Sequence, residues 1–235
     1  MLRTYKLAEA DRIIVILTAD RGQIRAVAKG VRRTTSKFGS TLEPFMHTRL
    51  QIVPRRNMHI IVQTETIHPY GMMLTNDYDS FGAASAMVET AEQLTRDEDI
   101  AGAAQQYHLL HGAIAALTRR AASPIMLLAS YLLRALTIAG WAPTFDECSK
   151  CGLEGRHNWL SVSLGGVVCD DCAPPQTPYA TDDVVALLAA LLAGDWTIVS
   201  QAESAQIRQA TSFVAQYLQY HLEKTLQSLS VMDQG

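Results

Sequence analysis

The sequence predicts an α+β protein of more than one domain: a small β-barrel, then a helical domain that carries an inserted four-cysteine module. The hydrophobic period changes from two to about 3.6 near residue 70, which indicates strands before that point and helices after it. The charge distribution changes in the same region, and all four cysteines occur in two C-x-x-C pairs. The length of 235 residues and the 48% hydrophobic content suffice for one to two domains with a core.

The first 70 residues have the pattern of short strands. Residues 13–17 are apolar, a turn follows at 20–22, and residues 23–29 alternate again. After an aperiodic stretch at 30–41, of a length typical of a functional or mobile loop, two further strands flank a turn. These strands are predicted at 45–53 and 58–67, with the turn at 54–57. Three to five short strands, all antiparallel because their connections are short, predict a small barrel.

The rest of the chain is predicted to be mostly helical. Ser123 and Pro124 are typical of a helix start, and Gly140 is typical of a helix end. The predicted helices cover residues 78–95, 101–119, 124–140, 181–192 and 203–229, with an acidic break at 97–99. The predicted domains are a basic barrel at 1–70, a first helical part at 71–143, a four-cysteine zinc module at 144–178 and a second helical part at 179–235.

The cysteine spacing is typical of a tetrathiolate zinc site. Two pairs separated by 17 residues have this spacing, and two residues between thiols allow both sulfurs to reach one tetrahedral ion. Disulfides are less consistent with a chain that lacks a secretion signal, and redox C-x-x-C motifs usually occur singly in a βαβ unit. Four thiolates complete a tetrahedron, so we expect one structural Zn²⁺ ion held by Cys148, Cys151, Cys169 and Cys172.

Charge is distributed unevenly along the chain. Residues 1–70 hold 12 of the 20 Lys and Arg and 5 of the 23 Asp and Glu, a net charge of +7, whereas the remainder carries −10. A basic module of this kind is typical of a protein that meets an anionic polymer or surface. The alternative, that short basic strands have solvated faces, stays open at this point.

The basic residues of the predicted barrel concentrate where its strands turn. Loops of a small barrel can converge on one side and form a groove that follows phosphates, with binding that is independent of sequence and sensitive to salt. Phe38, in the basic loop, is a candidate for stacking on a base or for anchoring the loop in the core. The candidate nucleic-acid contacts are Arg21, Lys29, Arg32, Arg33, Lys37, Phe38, Arg49, Arg55 and Arg56.

Several other classes of protein are disfavoured. The sequence has no phosphate-binding glycine loop, and its seven histidines are scattered. His108 and His111 lie three residues apart, a spacing more typical of a helix surface or core than of a metal site. No segment approaches the roughly 18 uninterrupted apolar residues of a membrane span, and the first residues do not resemble a secretory signal, so we expect a cytoplasmic protein.

The run from Lys29 to Phe45, with its Lys-Gly-x-Arg-Arg and Ser-Lys-Phe elements, resembles the RecO family of bacterial DNA repair and recombination mediators. The opening strands and the double C-x-x-C extend this resemblance over essentially the whole chain, and the cysteines match the zinc-containing members. The resemblance implies an OB-fold for the barrel and a protein that is not an enzyme. It also implies DNA contacts at the matching basic residues, Lys29, Arg32, Arg33 and Lys37.

The resemblance further implies what this protein does and with which partners. RecO-like proteins bind single- and double-stranded DNA without sequence preference and anneal complementary strands. They act with RecR, often also with RecF, to load RecA onto DNA coated by the single-strand-binding protein SSB, whose acidic tail docks on the helical region. Docking of that tail would need a local basic spot, such as Arg134 or the Arg119–Arg120 pair. A cytoplasmic, nucleoid-associated location follows.

Two readings from other classes remain. An OB-like barrel does not discriminate between polymers by its fold, so an RNA-binding or ribosome-associated module is an alternative. A zinc-dependent nuclease or deaminase would need an open metal position and a neighbouring Glu, and the H-x-E element of such deaminases is missing.

Overall fold

The computed structural model describes residues 1–56, 58–96 and 100–222. Two compact units divide the chain, Met1–Ala121 and Ala122–Gly235. The boundary between them comes after the third helix, so the segment 71–121 belongs with the barrel by its contacts. The division into four segments at 70, 143 and 178 stays a prediction.

A five-stranded sheet opens the first unit. The order of its strands is β1-β2-β3-β5-β4. The backbone N–H of Phe45 donates to the carbonyl of Met1 at 3.0 Å, which links the segments in front of the two edge strands. This partly open arrangement confirms the predicted strand-rich, OB-like fold. The strands are β1 (Arg3–Leu7), β2 (Asp11–Leu17), β3 (Gln23–Ala28), β4 (His47–Val53) and β5 (His59–His68).

One strand pairing differs from the prediction of antiparallel strands throughout. β3 and β5 are parallel, with Ala26 opposite His59 and Val27 opposite Ile60. Parallel neighbours need a long connection, and the segment between them, which contains β4, is long enough to return the chain to the starting end. The pattern of residues 1–70 also did not locate β1, which is an edge strand.

The barrel core draws on the connection between β3 and β4 as well as on the strands. Ile14, Ile16, Ala26 and Ile61 form its centre, and Phe38 from the predicted loop packs with them. Residues 14–17 of β2 are all buried, so both faces of this strand are covered. The aperiodic loop therefore closes the barrel core.

Helices cover the outward face of β1 and β2. The Arg3 guanidinium contacts the Glu92 carboxylate at 2.8 Å, and the Tyr5 hydroxyl donates to Glu92 at 3.4 Å. Arg3 lies opposite Val15 in the sheet, and Val15 is fully buried. The helices of this unit are α1 (Tyr70–Leu74), α2 (Tyr78–Leu94) and α3 (Ile100–Thr118), of which α2 and α3 confirm the predictions and α1 was not predicted.

The second unit is built on α4. Most of this helix is buried, and it packs against α5 and α7. The Ser130 hydroxyl of α4 donates to the Leu191 carbonyl of α5 at 2.7 Å. A small hairpin, β6–β7, lies between α4 and α5 in the chain. The elements are α4 (Pro124–Ile138), β6 (Trp159–Ser161), β7 (Gly166–Val168), α5 (Asp182–Ala193), α6 (Trp196–Val199) and α7 (Ser204–Leu222).

Parts of three predicted features lie outside the described residues. These are the acidic break at 97–99, Asn57 in the β4–β5 turn, and residues 223–229 of the last predicted helix. Among the helices that the structure describes, none combines the length and apolar character needed to cross a membrane.

Candidate metal centre and nucleic-acid interface

The four cysteines converge in the second unit. Their sulfur atoms all lie within 4.8 Å of one another, and those of Cys151 and Cys169 are 3.9 Å apart. Cys148 and Cys169 are buried, whereas Cys151 is exposed. The two predicted pairs therefore form one cluster of four thiols.

Local backbone turns place each pair of thiols. Gly152 N–H donates to the Cys148 carbonyl at 2.8 Å, and Cys172 N–H donates to the Cys169 carbonyl at 3.0 Å. Cys169 directly follows β7, so the hairpin positions the second pair. At Gly166 the backbone has φ of +143°, and a Cβ there would overlap the carbonyl oxygen of Thr144. Glycine at this position lets the hairpin approach the segment that leads to the first pair.

The surroundings of the thiols separate their pKa values. Burial opposes ionisation of Cys148, but hydrogen bonds from the backbone N–H groups of Cys169, Cys151 and Lys150 outweigh it and lower the pKa to about 6. Hydrogen bonding to Cys169 and burial raise the pKa of Cys172 to about 12. Backbone N–H groups aimed at a sulfur stabilise its thiolate, the form that binds metal. The donor set, four clustered cysteine thiols, could hold a tetrahedral thiophilic ion.

The candidate DNA contacts of the barrel fall at two ends of the sheet. The β2–β3 turn and the β4–β5 turn lie at one end, and Asp20, Arg21, Pro54 and His59 line a common cavity there. The connection after β3 begins at the opposite end, beside the β1–β2 turn. β3 is six residues long, so the ends are about 17 Å apart. The first end carries Arg21, Arg55 and Arg56, and the second carries Lys29, Arg32, Arg33 and Lys37.

The predicted convergence on one side is therefore not what the structure shows. The parallel pairing of β3 with β5 causes the separation. It places the turn before β5 beside the turn before β3, whereas the basic loop follows β3 at the opposite end of the sheet. Arg49 lies on β4 between them and pairs with Glu65 at 2.7 Å. Arg25, which the sequence pattern did not single out, is a further exposed cation on β3.

Some of the candidate cations hold the fold together. Arg32 Nη1 donates to the carbonyls of Ala8 and Glu9, the latter at 2.7 Å, and so attaches the basic loop to the β1–β2 turn. Lys37 Nζ donates to the Val62 carbonyl at 2.8 Å. Both side chains remain exposed and contribute charge, but each also has a structural role.

Other candidate cations form no ion pair with the described residues. The side chains of Lys29, Arg33, Arg55 and Arg56 are exposed, and within the described ranges none has an ion-pair partner. Arg21 contacts the adjacent Asp20 at 3.8 Å. With no counter-ion from the described part of the chain, these four cations are available to an anionic ligand.

Phe38 is not among the exposed groups. Its side chain is 2% exposed and packs with Ile14 and Leu42 in the barrel core. The structure shows that Phe38 anchors the loop in the core. A buried ring cannot stack on a base, so the prediction of a stacking contact at Phe38 is wrong. The Lys37 ammonium lies 5.2 Å from the centre of the Phe38 ring.

Comparison with known protein families adds an independent finding. The family model for the N-terminal part of recombination protein O matches residues 1–70, and the model for its C-terminal part matches residues 75–230. The chain belongs to the RecO family. The N-terminal RecO model ends at the end of the five-stranded sheet, whereas the contacts of the chain divide only after α3.

Curated RecO proteins resemble the chain over nearly its full length. "DNA repair protein RecO" of Nocardioides sp. is 46% identical over 99% of this chain and 96% of that protein. The protein of the same name from Streptomyces griseus is 44% identical, with the same coverage. That from Thermobifida fusca is 41% identical over 100% of this chain and 96% of its own length.

The structure of this RecO-family chain also brings together residues that the sequence reasoning did not connect. His47, His68 and His111 form a second group of possible metal ligands, in the first unit. The view that the histidines are scattered is therefore wrong for these three, while the exposed His108 lies outside the group. Pairing of the β4–β5 hairpin would have placed His47 near His68, but no sequence signal links them to α3.

Proposed function

We propose that this RecO-family chain is a non-catalytic mediator of DNA repair and recombination, which binds single- and double-stranded DNA without sequence preference. The observation that carries the proposal is the set of four exposed cations, without an ion-pair partner among the described residues, at the two ends of a barrel region with net charge +7. Family membership and the names of the relatives, DNA repair protein RecO, support DNA as the polymer.

The backbone of DNA is the proposed ligand of these cations. The ends of β3 are about 17 Å apart, which corresponds to about five base-pair steps of 3.4 Å along the axis of a duplex. Cations that contact phosphates bind every sequence alike. With Phe38 buried and the outward face of β1 and β2 covered by α2, phosphate contacts have the larger role in the proposal.

Strand annealing follows from the same charges. Mutual repulsion of phosphates opposes the approach of two complementary strands, and neutralisation on a shared basic surface lowers that barrier. The acidic remainder of the chain, with net charge −10, would keep DNA on the basic surface.

The partners and the metal of the chain belong to the proposal as well. We infer that it works with RecR, and with RecF, to load RecA onto SSB-coated single-stranded DNA. Arg134, exposed on α4, is the proposed contact for the acidic SSB tail. One structural Zn²⁺ held by Cys148, Cys151, Cys169 and Cys172 would fix the hairpin module, since the four thiols complete its coordination. A cytoplasmic, nucleoid-associated location fits these roles.

Fluorescence anisotropy of labelled single-stranded DNA across a salt series tests the proposal. We expect binding that weakens steeply with salt and changes little between sequences of equal length. Competition with RNA of equal length distinguishes a DNA-binding protein from an RNA-binding module. Absence of binding at about 50 mM salt, or preference for the RNA, would contradict the proposal.

A further inference from the structure

Three histidines from three elements meet in the first unit. His47 begins β4 and His68 ends β5, and the two residues are directly opposite in the sheet. His111 of α3 approaches them, with its ring centre 4.5 Å from that of His47. One ring nitrogen of each histidine lies within 4.8 Å of those of the other two.

Hydrogen bonds with tyrosines orient two of these rings. His47 Nε2 lies 2.8 Å from the Tyr107 hydroxyl, and His111 Nε2 lies 3.1 Å from the Tyr70 hydroxyl. Metal-bound histidines usually make such a bond through the nitrogen that does not hold the metal, which sets the tautomer and the ring orientation. Both bonds leave Nδ1 as the nitrogen that can bind another group.

The Nδ1 atom of His47 gives the strongest indication of a bound ion. It is buried and has no hydrogen-bond partner in the part of the chain that the structure describes. A buried polar atom without a partner is costly and requires an explanation, such as an ion that completes its surroundings. If the Nε2–H of His47 donates to Tyr107, then Nδ1 carries the lone pair that a metal needs.

Burial and neighbouring imidazoles disfavour the protonated form of two of the three rings. Burial, followed by the neighbouring imidazoles of His111 and His68, lowers the pKa of His47 to about 4. Burial and nearby charge also lower the pKa of His111.

We propose that His47, His68 and His111 bind one divalent transition-metal ion, separate from the cysteine cluster, with a fourth position open to solvent. Three imidazole nitrogens suit Zn²⁺ and similar borderline ions, whereas Mg²⁺ and Ca²⁺ prefer oxygen ligands. Zn–N bonds of about 2.0–2.1 Å place tetrahedral nitrogens about 3.4 Å apart, and the three ring nitrogens, which lie within 4.8 Å of one another, need at most a small closure to reach that spacing. Rotation of the exposed His68 side chain can supply this closure.

An ion at this position would join the ends of β4 and β5 to α3. All three elements belong to the first unit, so the ion would stabilise the packing of α3 on the barrel. This proposal does not depend on DNA binding.

The test is a calorimetric Zn²⁺ titration of the full chain with its cysteine cluster already loaded with zinc. We expect the wild type to bind one further equivalent. His68→Ala should weaken this binding at least tenfold, and Tyr107→Phe should weaken it by about 10- to 100-fold, since it removes the partner that orients His47. His108→Ala is the matched control, because His108 is exposed on α3, the helix that carries His111, and lies outside the histidine group.

A second measurement distinguishes ligand loss from misfolding. Excess Zn²⁺ should raise the melting temperature of the wild type and of His108→Ala, but not that of His68→Ala. Binding of Co²⁺ at this site should add d–d bands without adding thiolate-to-cobalt charge transfer. The proposal is overturned if the wild type takes up no second equivalent, or if His68→Ala and His108→Ala bind it equally well.

Discussion

Removal of two exposed cations at one end of the barrel should weaken DNA binding and flatten its dependence on salt. The variants are Arg55→Ala/Arg56→Ala at one end and Lys29→Ala/Arg33→Ala at the other. All four side chains are exposed, and the described residues offer them no ion-pair partner, so their removal should leave the fold unchanged. Arg32 is a poorer choice, because its guanidinium also attaches the loop to the β1–β2 turn.

The expected magnitude follows from counterion release. Each phosphate contact on single-stranded DNA contributes about 0.7 to the slope of log affinity against log salt concentration, so two contacts contribute about 1.4. Between about 50 and 200 mM salt, a fourfold change, the wild type should therefore lose about sevenfold more affinity than either double variant.

Anisotropy titrations with one labelled oligonucleotide at four or five salt concentrations measure this slope. The control is Arg156→Ala/Arg208→Ala, which removes two exposed cations from the second unit, where Arg156 has an exposed ion pair with Asp182 at 3.4 Å. This control changes the net charge equally and should leave the slope as in the wild type.

Two results would refute the reasoning. If both barrel variants keep the wild-type slope, the cations at the strand turns do not contact phosphates. If the control flattens the slope as much as the barrel variants do, net charge and not the position of the cations governs binding.

Three further predictions concern the core, the metal module and the proposed SSB contact. Phe38→Ala should destabilise the protein by about 3–5 kcal/mol in urea denaturation, because the ring is 2% exposed, while the folded variant keeps its DNA affinity. A loss of affinity with unchanged stability would instead indicate stacking on a base. Cys148→Ser should abolish tight zinc binding at the cysteine cluster and lower hydrogen-exchange protection of residues 144–178, with DNA affinity within about twofold of wild type, since the proposed contacts lie in the first unit. A parallel loss of DNA binding would contradict that assignment. Arg134→Glu should weaken binding of an acidic peptide by about tenfold or more in a calorimetric titration. Arg208→Glu, with the same charge change on α7, should not; equal weakening would argue against a local site.

Features with a short range in sequence could be predicted from the sequence. The period of hydrophobic residues located α2 to α5 and the described part of α7, because helix formation depends on neighbours within about four residues. The C-x-x-C spacing located the thiol cluster for the same reason, as each pair occupies one tight turn. Charge placed the basic module in the first 70 residues without any knowledge of the fold.

Features that depend on distant segments could not be predicted in this way. The parallel pairing of β3 with β5 arises from a long connection, and it places the basic turns at opposite ends of the sheet. The position of Phe38 was ambiguous in the sequence, because an aromatic residue in a basic loop is compatible with either stacking or packing. Only its contacts with the barrel core decided between them.

The histidine group shows the same limit most clearly. Its members come from positions 47, 68 and 111, and the approach of α3 to the ends of two strands has no local sequence signature. The sequence by itself thus determined the types of element, the charged module and the thiol cluster. Tertiary structure alone decided which of the described cations form ion pairs and which polar side chains meet, because these depend on packing between segments far apart in the chain.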